Sequence, residues 1–151
     1  GDGNQSNLET AADLSEGTLE TAIINTHKMK DDRGIFIGAS PVSLHVAPDG
    51  QFDADRILAS PGRPNTDLND INAVRNLGLV PNGYYVNRRF TDADAWFLRN
   101  DCPNGTKMFM RAPLATKMEP DFDTGNLRFK ARERYSFGFS DWRQWRGNKG
   151  T

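Results

Sequence analysis

Four groupings in this chain of 151 residues carry side chains able to do chemistry or to bind. Asp92 and Asp94 are paired carboxylates of the kind that can divide acid and base work. They lie in a loop entering a strand, with no partner in view to shift either proton affinity, and are expected to be solvated. Cys102 could act as a nucleophile only with His27 or His45 folded beside it, and its position between Asp101 and Pro103 disfavours the thiolate. One Cys and two His fall short of a structural zinc site, and a lone Cys makes no internal disulfide. Asp121-x-Asp123 beside Gly125 suggests a calcium loop, but the glycine comes one place early and no glutamate closes it, so a tight acidic turn is the better reading. The fourth grouping has binding rather than catalytic character: Arg128, Lys130, Arg132 and Arg134 recur at every second position, with Glu133 among them. The chain has no Gly-x-Ser-x-Gly, phosphate loop, Gly-x-Gly-x-x-Gly after a strand, or His-Glu-x-x-His. It is read as a non-enzyme without cofactor or metal.

The basic series needs a long strand to present it. From Leu127 the odd positions read Leu, Phe129, Ala, Glu133, Tyr135, Phe137 and Phe139, and the even ones are the cations followed by Ser136 and Gly138. Successive strand residues point to opposite faces, so one face is apolar and the other basic. Phe129, Tyr135 and Phe137 are therefore core candidates, with Glu133 a carboxylate that calls for a cation or donor. Such a strand is about twice the usual length.

The rest of the chain supplies shorter elements. A polar, irregular lead-in occupies residues 1–17. Ser15 has the character of an N-cap for a helix with Leu19, Ala22, Ile23, Thr26 and Met29 on one face. Pro41 introduces a strand over Val42–Ala47, on whose non-apolar side His45 reads as a half-exposed sheet residue rather than a ligand. Gln51–Ser60 reads as a short helix with Ala54, Ile57 and Leu58 inward, and Pro61–Thr66 as a loop. A helical turn over Asn69–Val74 and a strand over Leu77–Val80 are expected next. Two Pro-Asn-Gly turns, Pro81–Gly83 and Pro103–Gly105, stand where hairpins would turn, flanking strands at Tyr84–Val86 and Ala95–Leu98. Trp96 is a core candidate, since Trp96 and Phe97 must face opposite ways. Thr106–Lys117 is expected to run antiparallel to the long strand, with Glu119–Asn126 between them.

Composition narrows the class. Hydrophobic residues make up 36%, and 14 Gly with 8 Pro imply many turns, which suits a chain that buries surface against partners. No apolar run approaches bilayer length, and the acidic start does not resemble a signal peptide. The net charge of −1 conceals an asymmetry: residues 1–74 carry 12 acidic and 5 basic groups, residues 75–151 carry 8 and 14. Those halves could attract one another, within the chain or head-to-tail between copies, or simply be solvated.

Asp67-Leu-Asn-Asp-Ile-Asn72, Asp92-Ala-Asp-Ala-Trp-Phe97, Asp121-Phe-Asp-Thr-Gly125 and Arg132-Glu-Arg-Tyr-Ser-Phe-Gly-Phe-Ser-Asp141 occur in that order. Together they resemble the carboxy-terminal half of tailed-bacteriophage major capsid proteins with the Hong Kong 97-type fold, over about Thr18 to Gly147. The last block is the most specific. The family's arm, extended loop and spine helix have no counterpart in these residues. The resemblance implies an axial-domain-like region at 18–105 and long strands returning through a peripheral domain at 106–151. It also implies a virion protein, assembled in the host bacterial cytoplasm, whose partners are other copies of itself in hexamers and pentamers around double-stranded DNA, with no membrane.

The expectation is thus an α+β fold, mainly antiparallel, with two or three short helices, serving as a capsid subunit. Two alternatives stand beside it. A nanocompartment shell protein of bacteria would share the fold. A nucleic-acid-binding β-domain would use the basic stripe to follow phosphates, although single-strand binders place aromatics and cations on one face and this strand separates them. Arg128, Lys130, Arg132, Glu133 and Arg134 are the candidates for a subunit interface or a DNA-facing surface, and Glu133 favours the interface.

Overall fold

The first helix, α1 (Glu16–His27), begins where Ser15 and Thr18 cap each other. The Thr18 amide donates to Ser15 Oγ at 3.3 Å, and the Ser15 amide donates to Thr18 Oγ1 at 2.9 Å. This satisfies two amide donors that a bare helix end would leave without acceptors. Leu19, Ala22, Ile23 and Thr26 then recur on one face and are buried. The computed structural model describes residues 5–62 and 70–151. The expected loop from residue 63 onward and the start of the helical turn at Asn69 lie outside the described residues.

The chain forms two units, one of Gly1–Pro103 with Trp142–Thr151, the other of Asn104–Asp141. The first, the body, is built on a four-stranded sheet of β1 (Pro41–Val46), β2 (Tyr84–Val86), β3 (Trp96–Asn100) and β6 (Trp145–Asn148). The order is β2-β1-β3-β6, with β1 and β2 parallel and the other pairs antiparallel. Leu44, Val46, Trp96 and Leu98 form the core with Leu19 and Ile23 of α1, Ala54 and Ile57 of α2 (Gln51–Ala59), and Val74 of α3 (Ala73–Asn76). Trp96 is 1% exposed, and its indole N–H donates to the Ala12 carbonyl at 3.2 Å. Buried Asn72 ties two helix ends together: its Nδ2 donates to the Ile57 and Ser60 carbonyls, and its Oδ1 accepts from the Arg75 amide.

The second unit, the ribbon, is a two-stranded antiparallel sheet of β4 (Thr106–Pro120) and β5 (Leu127–Phe139). Asp121 closes its turn. The Asp121 amide donates to the Asn126 carbonyl at 2.8 Å, Gly125 takes a left-handed φ of 68°, and the Asp121 carboxylate accepts from Thr124 and Arg128. The architecture is α+β, with strands that pair mostly antiparallel.

Several expectations are corrected. Phe129, Tyr135 and Phe137 are not in a core formed by the described residues: they are 64%, 50% and 72% exposed. Alternation put them on one face, but a two-stranded ribbon has no second layer to cover it. Leu77–Val80 is not a strand, because Gly78 at φ 60° stops α3 in a left-handed cap and too few residues remain before Pro81. Neither Pro-Asn-Gly turns a hairpin. The first leads from α3 into β2, which runs parallel to β1. The second, with Asn104 at φ 62°, marks the passage from body to ribbon. The ribbon also ends before 151: a 3₁₀ turn at Trp142–Gln144 and β6 return the chain to the body. Of the expected lead-in, residues 5–14 form no helix and are anchored by a parallel bridge from Leu8 to Gly147, whereas Glu16 and Gly17 already belong to α1.

Candidate functional site

The ribbon's register assembles two unlike faces. Met108 stands opposite Phe137, Met110 opposite Tyr135, Met118 opposite Phe129, and Pro120 opposite Leu127. Directly opposed residues share a face, so β4 doubles the apolar surface that β5 begins. The other face sets Ala112 opposite Arg134, Ala115 opposite Arg132, Lys117 opposite Lys130 and Glu119 opposite Arg128. The Lys117–Lys130 opposition is repulsive within the isolated ribbon.

The pairing slips twice, between Met110 and Ala112 and again between Ala112 and Ala115. Each slip inserts residues on β4 only, which bends and twists the strand locally. Pro113, lacking an amide donor, sits in the second. Glu133 therefore faces the irregular Pro113–Leu114 segment rather than a single partner. At the turn end Arg128 reaches Asp121 at 2.5 Å, and Lys117 pairs with Glu119. Lys130, Arg132, Arg134 and Glu133 form no ion pair among the described residues. The arrangement offers a broad apolar face for burial and, behind it, three unpaired cations able to take carboxylates or phosphates.

The other singled-out residues are dispersed through the body. Asp92 Oδ1 accepts from the Asp94 amide at 3.2 Å, a local turn contact. Cys102 is buried in a small cluster with Met29, Ala39 and Trp142. His45 is half-buried, stacked on Tyr85 with centroids 5.2 Å apart and set edge-on to Trp145 at 4.9 Å. Its pKa is lowered, chiefly by burial and secondly by the positive charge of Arg99.

Two features went unseen in the sequence. The β4 methionines were missed because the bulges break the alternation halfway; reading inward from each end separately would have found them. The buried pair of Arg146 with Glu9 gave no signal at all, its members being far apart in the chain.

A model of the phage capsid protein family matches residues 1–147. No curated protein and no solved structure matches.

Proposed function

This chain belongs to the phage capsid protein family, and on that premise we propose that its ribbon joins neighbouring subunits in the hexamers and pentamers of a Hong Kong 97-type icosahedral shell around double-stranded DNA. A structural role in the virion follows from the family itself. The carrying observation is the ribbon's apolar face, where Met108, Met110, Met118, Phe129, Tyr135 and Phe137 are all exposed. An exposed face of that extent is a burial site for another chain or segment. In this reading the body corresponds to the axial region and the ribbon to peripheral strands, with assembly in the host bacterial cytoplasm.

For the basic face we favour carboxylates of a neighbouring subunit over DNA. Glu133 already places a charge on the apolar face, as expected of a strand in an ion network crossing between subunits. In such a network Arg132 and Arg134 grip carboxylates through two parallel hydrogen bonds, which lysine cannot reproduce. Arg132→Lys and Arg134→Lys should therefore impair assembly, scored by electron microscopy of the protein expressed alone, while leaving urea melts within about 0.5 kcal/mol. Shells at normal yield from both variants, with tight DNA binding at physiological salt, would instead make this a DNA-facing surface.

A further inference from the structure

The body carries a projecting apolar side chain and a receptive apolar groove, whose flanking charges are of opposite net sign. The projection is Phe52, on the first turn of α2 and 69% exposed. Residues three and four apart share a helix face, so Phe52 is flanked by Asp55 and Arg56, and Asp49 lies in the turn that leads into the helix. Arg56 is engaged by Asp53 at 2.9 Å, whereas Asp49 and Asp55 have no cation partner among the described residues. The face around the phenyl ring is net acidic.

The groove, of about 400 Å³, lies between the segment Arg89–Asp92 and the edge of the sheet. Its apolar lining includes Leu8, Ala95 and the T-shaped pair of Phe90 and Phe97, whose centroids are 5.2 Å apart. Gly147 lets the Phe97 ring lie close against the strand: a Cβ there would come within 3.1 Å of it. Arg89 and Lys149 stand at the rim, both exposed and neither in an ion pair among the described residues, and they outnumber the one carboxylate of the lining, Asp92, so the groove is net basic.

We infer that Phe52 of one copy seats in the Phe90–Phe97 groove of the next, with Asp49 and Asp55 meeting Arg89 and Lys149. The inference rests on the reading of this protein as a self-assembling subunit and names a contact for it. An aromatic anchor entering an apolar groove, flanked by complementary charges, has the anatomy of an interface hot spot. Projection and groove are different surfaces, so the contact is heterologous: each copy gives one and receives the other. Repeated, this closes a ring where the rotation between copies allows.

Phe52→Ser should weaken association by at least about tenfold, measured by sedimentation velocity, without moving the urea melt. Reversing the rim with Arg89→Glu and Lys149→Glu should do the same, as should Asp49→Lys with Asp55→Lys. Combining all four reversals in one chain should restore association, because every contact again joins opposite charges. If the unaltered protein assembles but Phe52→Ser or either reversal pair leaves assembly unchanged, the contact is wrong and the capsid reading stands. Failure of the fourfold variant to regain association also overturns it. A protein that stays monomeric without any substitution overturns both.

Discussion

In the body, Trp96, Leu98, Leu44 and Val46 lie on one face of a sheet and three helices cover them. In the ribbon, Phe129, Tyr135 and Phe137 lie just as regularly on one face, and nothing in their unit covers them. The two sequences alternate in the same way. Alternation reports which side chains share a face, but burial needs a second layer, and that layer is set by non-local packing. The body thus owes its stability to its own core, while the ribbon's apolar residues stay exposed in their unit and, in the function proposed above, meet a neighbouring subunit.

The sharpest way to break this contrast is to truncate one aromatic in each unit. Trp96→Ala should cost about 3–5 kcal/mol, the range for a large core side chain replaced by a small one. Phe137→Ala should stay within about 0.5 kcal/mol, as for surface positions. Urea melts of both variants test this, and a large loss from Phe137 would mean that the ribbon is covered in solution.

A second test contrasts one ion pair in each unit. Glu9 and Arg146 are both nearly buried, and the Arg146 guanidinium also donates to the Asn25 carbonyl. Glu9→Gln leaves a buried cation without its counter-charge and should cost about 3 kcal/mol. Arg128 and Asp121 pair with the arginine largely exposed, so Arg128→Gln should change the melt by less than about 1 kcal/mol. Equal losses from the two would remove the distinction between structural and solvated charge.

The smallest expected effect comes from pH. His45 lies in the body, and the ribbon contains no histidine. Its folded-state pKa is depressed, chiefly by burial, so the unfolded chain binds this proton more readily. The resulting stability is complete above the ordinary histidine range near 6.5 and is lost as pH falls through the lowered value. Urea midpoints should therefore drop between pH 7.5 and 5.5 by more in the parent protein than in His45→Phe. Equal drops would assign the acid sensitivity to other groups.

Local features were legible in the sequence. The Ser15 cap, the spacing of Leu19, Ala22, Ile23 and Thr26, and the period of two from Leu127 to Phe139 each act over a few residues. The paired strand β4 was legible too, apart from the bulges that conceal its apolar face. What could not be read depends on distant partners. Trp145–Asn148 offers a run of four residues with no strand period, and becomes β6 only because β3 presents a free edge. Phe52 and the Phe90–Phe97 groove were invisible for the same reason: a projecting residue and a receiving surface exist only once the sheet and helices have been placed. The stripe of Arg128, Lys130, Arg132 and Arg134 was readable as a face, whereas the absence of partners for three of its members needed the register of β4.

The return of the chain at β6 has a mechanical consequence. β3 and β6 are hydrogen-bonded neighbours, and the whole ribbon leaves after one and re-enters before the other. A force that draws the ribbon's two strands apart is therefore delivered to the same end of β3 and β6 and pulls those ends away from each other. Their bonds lie across the strands, so they are loaded one after another, like a zipper, and not all at once as in sliding. The Arg99–Trp145 pair would part first and the Trp96–Asn148 pair last. The seam gives way from the ribbon side inward, and the buried tryptophan is at the end that force reaches last.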